Sequence, residues 1–223
     1  MSDLADSMAL RQALIAAARR LVTTRLTRNT TGNISHRVAG GLLVTPTGMV
    51  YDDLEPEDIV FIDQEGRAQG RRLPSSEWRM HFDILAARPE AVVVLHAHAP
   101  FCTSLACLRL GIPSFHYMVA VLGGADIRCA PYATFGTEAL SRLAVTALDG
   151  RKGCLLANHG MVTVAPGFDE AFRLGIELET LAEMYWRARQ IGEPVLLDAQ
   201  EMAVVVEKFQ TYGKQPPLPG EAA

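Results

Sequence analysis

His96 and His98 close the run Ala91 to His98, a stretch dominated by β-branched and apolar residues. On a strand, residues i and i+2 project from the same face, so both imidazoles would point into one space. Two nitrogens converging in that way suit a metal ion. A pair of exposed histidines at a strand end is the competing reading. His159 offers a third nitrogen, in Asn158-His159-Gly160 between two strand-like segments, where the glycine permits a tight turn. Three histidines would leave a fourth position open on a tetrahedral ion, which separates a catalytic site from a closed structural one. Spacing alone does not carry His159 to the other two.

Glu77 adds an acid, directly after Pro74-Ser75-Ser76. A glutamate in the first turn of a helix often serves only the helix dipole. The two serines, however, put hydroxyls and backbone N–H groups at a helix start, which suits a phosphate. The turns Thr30-Thr31-Gly32-Asn33 and Thr45-Pro46-Thr47-Gly48 have the same small, hydroxyl-rich character. Each alone reads as a turn or cap. Brought together, they could hold a phosphate without a basic side chain.

The elements that must position these groups are marked by periodicity. Leu4, Met8, Leu14, Ala18, Leu21 and Val22 recur at helical spacing and predict an amphipathic opening helix over 3–26. Strands are expected at 34–38 and 42–45, joined around Gly40-Gly41, and at 59–63 before the Glu65-Gly66 turn. A hydroxyl able to cap opens a helix at Pro74-Ser75-Ser76-Glu77, and Pro89 ends it. Residues 91–98 read as a central strand. Further helices are expected at 100–109, 137–148, 168–190 and 199–210, with strands at 153–157 and 160–165. Some strands arrive as adjacent pairs and others between helices. That order predicts an α/β fold in three layers, a mixed and largely antiparallel sheet with helices on both faces.

The bulk properties exclude several classes. With 49% hydrophobic and 21% charged residues, the chain of 223 residues has an ordinary globular composition. No linker-like stretch divides it, so one domain over 1–213 is expected, with a flexible Pro/Gly-rich tail at 214–223. A formal charge of −4 argues against nucleic acid. The apolar runs are too short for a membrane span. The N-terminal residues lack the order of a signal peptide, which makes a cytoplasmic location the expectation. Four cysteines form neither a CxxC pair nor a disulfide framework, and Cys102 and Cys107, in an apolar helical segment, are expected to be buried thiols.

Several longer segments together resemble one family. TGNIS (31–35), LLVTPTGM (42–49), LPSSEWRMH (73–81), HAHAPFCT (96–103), FHYM (115–118), CAPYATFGT (129–137), NHG (158–160) and EKFQTYG (207–213) are similar to marker segments of the class II aldolase/adducin family, on its fuculose-phosphate aldolase side. The likeness runs from about Leu10 to Gly213. It implies a zinc-dependent lyase with one Zn2+ per subunit, held by His96, His98 and His159. Glu77 becomes the catalytic acid/base, able to touch the metal when substrate is absent. Gly32 with Asn33, Thr47 with Gly48, and Ser75 with Ser76 become a phosphate cradle. Tyr117 would reach into a neighbour's site and handle the aldehyde oxygen, while Phe135, Phe209 and Tyr212 surround the aldehyde. The implied assembly is a homotetramer with active sites between subunits. The implied reaction splits a ketose 1-phosphate into dihydroxyacetone phosphate and an aldehyde. L-fuculose 1-phosphate, giving L-lactaldehyde, or a 5-deoxy- or 5-methylthio-pentulose 1-phosphate would serve. Ribulose-phosphate 4-epimerases and a methylthioribulose-1-phosphate dehydratase share the fold, as does the non-catalytic adducin module. Glu77 and the FHYM segment favour the aldolase over the epimerase. Asn158 replaces a histidine of the family pattern beside the ligand, and the tail KQPPLPGEAA departs from it.

Overall fold

The computed structural model describes residues 5–209 and 211. Its centre is one eight-stranded sheet in the order β4-β3-β2-β1-β5-β8-β7-β6. In chain order the strands are β1 (Asn33–Val38), β2 (Gly41–Val44), β3 (Val60–Asp63), β4 (Ala68–Gln69), β5 (Val93–Ala97), β6 (Cys129–Ala130), β7 (Gly153–Leu156) and β8 (Gly160–Ala165). Only the β6–β7 pair is parallel; every other pairing is antiparallel. The helices are α1 (Met8–Thr23), α2 (Trp78–Ala87), α3 (Pro100–Cys107), α4 (Glu138–Ala147), α5 (Phe168–Ile191) and α6 (Ala199–Phe209).

Strand alternation divides the core into two. Val93, Leu95 and Ala97 of β5 pack into a cluster with Leu14 and Leu21 of α1, Leu105 of α3, Phe172 and Leu178 of α5, and Met202 of α6. Val94 faces the other way, into a cluster with Met80 and Ile84 of α2 and Leu140 and Ala144 of α4. A strand covered on both faces must be apolar on both, which explains why residues 91–95 read as a continuous apolar run. His96 shares the parity of Val94 and therefore projects on the side of α2. No helix among the described residues is long and apolar enough to cross a membrane.

The expected helices and longer strands are present, with boundaries shifted by a few residues. Four differences have physical causes. The two-residue strands β4 and β6 are too short for any periodicity to show. Serine does not cap α2: the N-cap is Glu77, which makes no side-chain cap bond, and Ser75 Oγ instead accepts the Glu77 N–H at 3.2 Å. Cys102 is buried but Cys107 is exposed, correcting the expectation for the second thiol. Five residues advance a helix by about 140° beyond a full turn, which takes Cys107 off the buried face. Finally, the left-handed residue of the 158–160 turn is Asn158, at φ 54°, rather than the glycine. Tyr212 and the tail at 214–223 lie outside the described residues.

Candidate active site

His96 is the penultimate residue of β5, and His98 lies one residue past the strand end. The chain turns there into α3, whose first N–H groups, from Phe101 and Cys102, donate to the Glu179 carboxylate of α5 at 2.9 Å each. That cap fixes the exit of the strand beside His98. His159 arrives from the β7–β8 turn, because β8 pairs with β5 in the register Ala97↔Met161. Asn158 holds the turn: its backbone N–H donates to Ala106 O at 2.9 Å, and its side-chain oxygen accepts from Arg109 at 3.3 Å.

The three imidazoles stand around a common point, with ring centroids 5.0 Å (His96–His98), 4.8 Å (His96–His159) and 4.9 Å (His98–His159) apart. Glu77 completes the group, and one donor atom from each of the four residues lies within 4.8 Å of the others. His96 Nε2 is 3.1 Å from His98 Nε2 and 3.1 Å from Glu77 Oε2, and His159 Nε2 is 3.2 Å from Glu77 Oε1.

The residues fit a divalent cation. Bonds of about 2.0–2.1 Å in a tetrahedral site place neighbouring donors roughly 3.3 Å apart, close to the spacings found. His96 Nδ1 lies 2.9 Å from the Met161 carbonyl, which can only accept. The hydrogen therefore sits on Nδ1 and leaves the Nε2 lone pair for a metal, an orientation typical of ligating histidines. Glu77 Oε1 is buried and makes no hydrogen bond, although His159 Nε2 stands 3.2 Å away. A buried carboxylate oxygen left in that state is costly unless a charge comes to it.

Electrostatics agree with this. Burial pushes the His98 and His159 imidazoles down, each to about 4, with the neighbouring His96 adding to the effect. They are neutral near pH 7, the form that binds metal. Burial opposes ionisation of Glu77 too, but His96, His159 and the Asn33 amide outweigh it and hold the carboxyl well below its usual range. His96 is raised: burial lowers it, and the Glu77 carboxylate more than compensates.

A cavity of about 350 Å³ opens beside this group, and all six residues expected in the phosphate cradle line it. Backbone pairing draws its parts together. Ser75 N–H donates to Thr45 O at 2.9 Å, Thr47 N–H donates to Leu73 O at 3.2 Å, and Pro46 and Pro74 form an isolated bridge. Tyr51 OH donates to the Gly32 carbonyl, anchoring the third turn. Among the described lining residues there is no lysine or arginine. Phe135 lies at the mouth and is 62% exposed. Gly136, at φ 74°, lets its loop pass so close to Ser76 that a Cβ would stand 2.7 Å from the Ser76 carbonyl.

Tyr117 and Phe209 do not line this cavity. They stack on each other, with ring centroids 6.4 Å apart, in a second cavity of about 600 Å³. Asn33 does line the main cavity, but its amide turns inward, donating to Glu77 Oε2 at 3.0 Å and meeting His81 on its other side. His81 escaped the sequence reading. Its spacing of four residues from Glu77 puts both on one helical face, which is the signal that could have found it.

Gly160 has a role other than the expected turn. A Cβ there would stand 2.5 Å from the Ala97 carbonyl and 2.9 Å from the His98 ring. Gly160→Ala should therefore displace His98 and weaken divalent-metal affinity about 10- to 100-fold, the usual cost of disturbing a ligand's support. Competition with a metal indicator would measure it, and unchanged affinity would show that the ring has room.

Residues 12–186 match the model of the class II aldolase and adducin N-terminal domain, and the chain belongs to this family, on the side of its aldolases, which are lyases. Over 216 residues it is 56% identical to a 5-methylthioribulose-1-phosphate/5-deoxyribulose-1-phosphate aldolase of Rhodospirillum rubrum, covering 97% of this chain and 98% of the relative. Over 189 residues it is 46% identical to the L-fuculose phosphate aldolase of Escherichia coli, covering 84% of this chain and 88% of the relative. A solved L-fuculose 1-phosphate aldolase superposes with a TM-score of 0.88 at 40% identity, covering 94% of this chain and 100% of that one. The expected kinship is thus found, and the three-layer fold with it.

Proposed function

We propose that this chain is a cytoplasmic, zinc-dependent aldolase that reversibly cleaves a ketose 1-phosphate into dihydroxyacetone phosphate and an aldehyde. The observation carrying this reading is the junction of the His96-His98-His159-Glu77 cluster with the hydroxyl-lined cavity. The 56% likeness to an aldolase named for 5-methylthioribulose and 5-deoxyribulose 1-phosphates favours those substrates over L-fuculose 1-phosphate. Residues 1–213 would form one domain, four copies would assemble, and one zinc would sit in each.

When bound, zinc would act as a Lewis acid on the ketone and its neighbouring hydroxyl, stabilising the charge that cleavage leaves beside the ketone. The chain's own residues do the rest. Gly32, Thr47, Gly48, Ser75 and Ser76 would hold the phosphate at the unreactive end and so align the bond to be broken. Asn33 would support the cradle through its backbone, its amide being engaged with Glu77 and His81. Glu77 would return a proton to the carbon beside the ketone after cleavage, and remove it in the direction of synthesis. Tyr117 is 48% exposed and outside its own chain's cavity, which supports service in a neighbour's site, where it would take the proton of the hydroxyl that becomes the aldehyde. Phe135, with Phe209 and Tyr212 of the C-terminal segment, would flank the aldehyde.

Product analysis tests this. Purified protein given 5-deoxyribulose 1-phosphate, 5-methylthioribulose 1-phosphate or L-fuculose 1-phosphate should release dihydroxyacetone phosphate, trapped by a coupled reductase. The highest kcat/KM is expected with the first two. An isomeric pentose phosphate formed from ribulose 5-phosphate would identify an epimerase instead, and a diketone phosphate, formed by loss of water and ketonisation of the enol, a dehydratase.

A further inference from the structure

His81 and Ser35 are completely buried and do not line the cavity. A buried imidazole is costly unless both ring nitrogens find partners, and here they do. His81 Nδ1 is 2.8 Å from Ser35 Oγ, and His81 Nε2 is 2.5 Å from Asn33 Oδ1. Asn33 Nδ2 continues the chain to Glu77 Oε2 at 3.0 Å.

The donor at each link is fixed from the carboxylate end. Ionised Glu77 can only accept, so Asn33 must turn its NH₂ toward it and its carbonyl toward His81. That carbonyl also only accepts, so His81 Nε2 carries the hydrogen. Burial, reinforced by His96, pushes the ring down to about 3 and keeps it neutral. Nδ1 is then an acceptor, and the Ser35 hydroxyl donates to it. A flip of the Asn33 amide would set its oxygen against Glu77 Oε2 at one end and its NH₂ against the His81 Nε2–H at the other.

We propose that His81, oriented by Ser35, is a positioning residue that locks the Asn33 amide and thereby ties down Oε2 of Glu77, leaving Oε1 the carboxylate oxygen free to act. The inference rests on the proposed role of Glu77. Removing His81 frees the amide to rotate and the carboxylate to swing. Alignment is lost while the substrate cradle is untouched, so the effect falls on kcat rather than KM.

The test compares the metal-loaded wild type with His81→Leu, His81→Gln, Ser35→Ala and Glu77→Gln. His81→Leu should lose about 10- to 100-fold in kcat, as supporting residues do, with KM for the ketose phosphate and metal content unchanged. His81→Gln, whose amide N–H can stand where Nε2–H stood, should recover most of the rate. Ser35→Ala should fall in the same direction by less. Independently of activity, nitrogen NMR of the wild type should show His81 as the neutral Nε2–H tautomer. An Nδ1–H tautomer, an unimpaired His81→Leu protein, or a glutamine variant no better than leucine would overturn the proposal. Should His81→Leu fail to fold, Ser35→Ala and the tautomer decide. An active Glu77→Gln protein would remove the underlying role of Glu77; an inactive one beside an unimpaired His81→Leu protein would remove the positioning role alone.

Discussion

Glu77→Gln should lower kcat about 10²- to 10⁴-fold, the range typical for loss of a general acid or base. The substitution keeps the shape and can keep one hydrogen bond, since the new amide oxygen can still accept from Asn33 Nδ2. It removes the ability to take up and deliver a proton. It also takes a negative donor from the cluster, so the variant should hold metal more weakly while keeping the three histidines. Single-turnover cleavage, with metal content measured on the same preparation, separates the two effects. A variant within fivefold of the wild-type rate, with its zinc in place, would take Glu77 out of proton transfer.

Replacing any of the three histidines by alanine should abolish both metal binding and activity, but the metal-free proteins should differ in stability. His96 is completely buried and pairs with Glu77, whose side chain is 7% exposed. His96→Ala leaves that carboxylate short of its main counter-charge, and breaking a buried pair from one side costs about 3 kcal/mol or more. His98 is only half-buried and makes no bond to Glu77. His98→Ala should lose the ion while the apo-protein unfolds close to the wild-type urea midpoint. Chelation followed by urea titration of the three apo-proteins checks both parts. A His98→Ala enzyme that kept a stoichiometric metal and its turnover would show that the cluster is not the metal site.

Much of this arrangement could be read from the chain because it follows from local periodicity. The His96/His98 pair needed only the two-residue period of a strand, and the fold honours it. The three hydroxyl-rich turns could be recognised individually by composition. Their convergence could not, because it depends on the Pro46–Pro74 bridge and the Ser75–Thr45 bond, which join residues some thirty apart in sequence. His81 stayed hidden for a similar reason: its partners Ser35 and Asn33 lie 46 and 48 residues away, and in the sequence it looks like one more position on an apolar helix. Gly160 reads locally as a turn residue, whereas its close approach to β5 is a tertiary fact that no local pattern carries. The resemblance supplied what geometry within one chain does not, the idea that Tyr117 belongs to a neighbour's site.

The cavity without a cationic side chain among its described lining residues has one more consequence. Dipoles of hydroxyls and amides act at contact range, where mobile ions cannot intervene, whereas attraction between net charges is weakened by dissolved salt over a Debye length of about 8–10 Å. In the proposed function, a phosphate ester held in this way would owe its attraction at a distance to the bound metal, not to the cradle. The cradle's share of the affinity would be set by the number of aligned donors, so ionic strength should be a weak lever on that share and hydrogen-bond count a strong one.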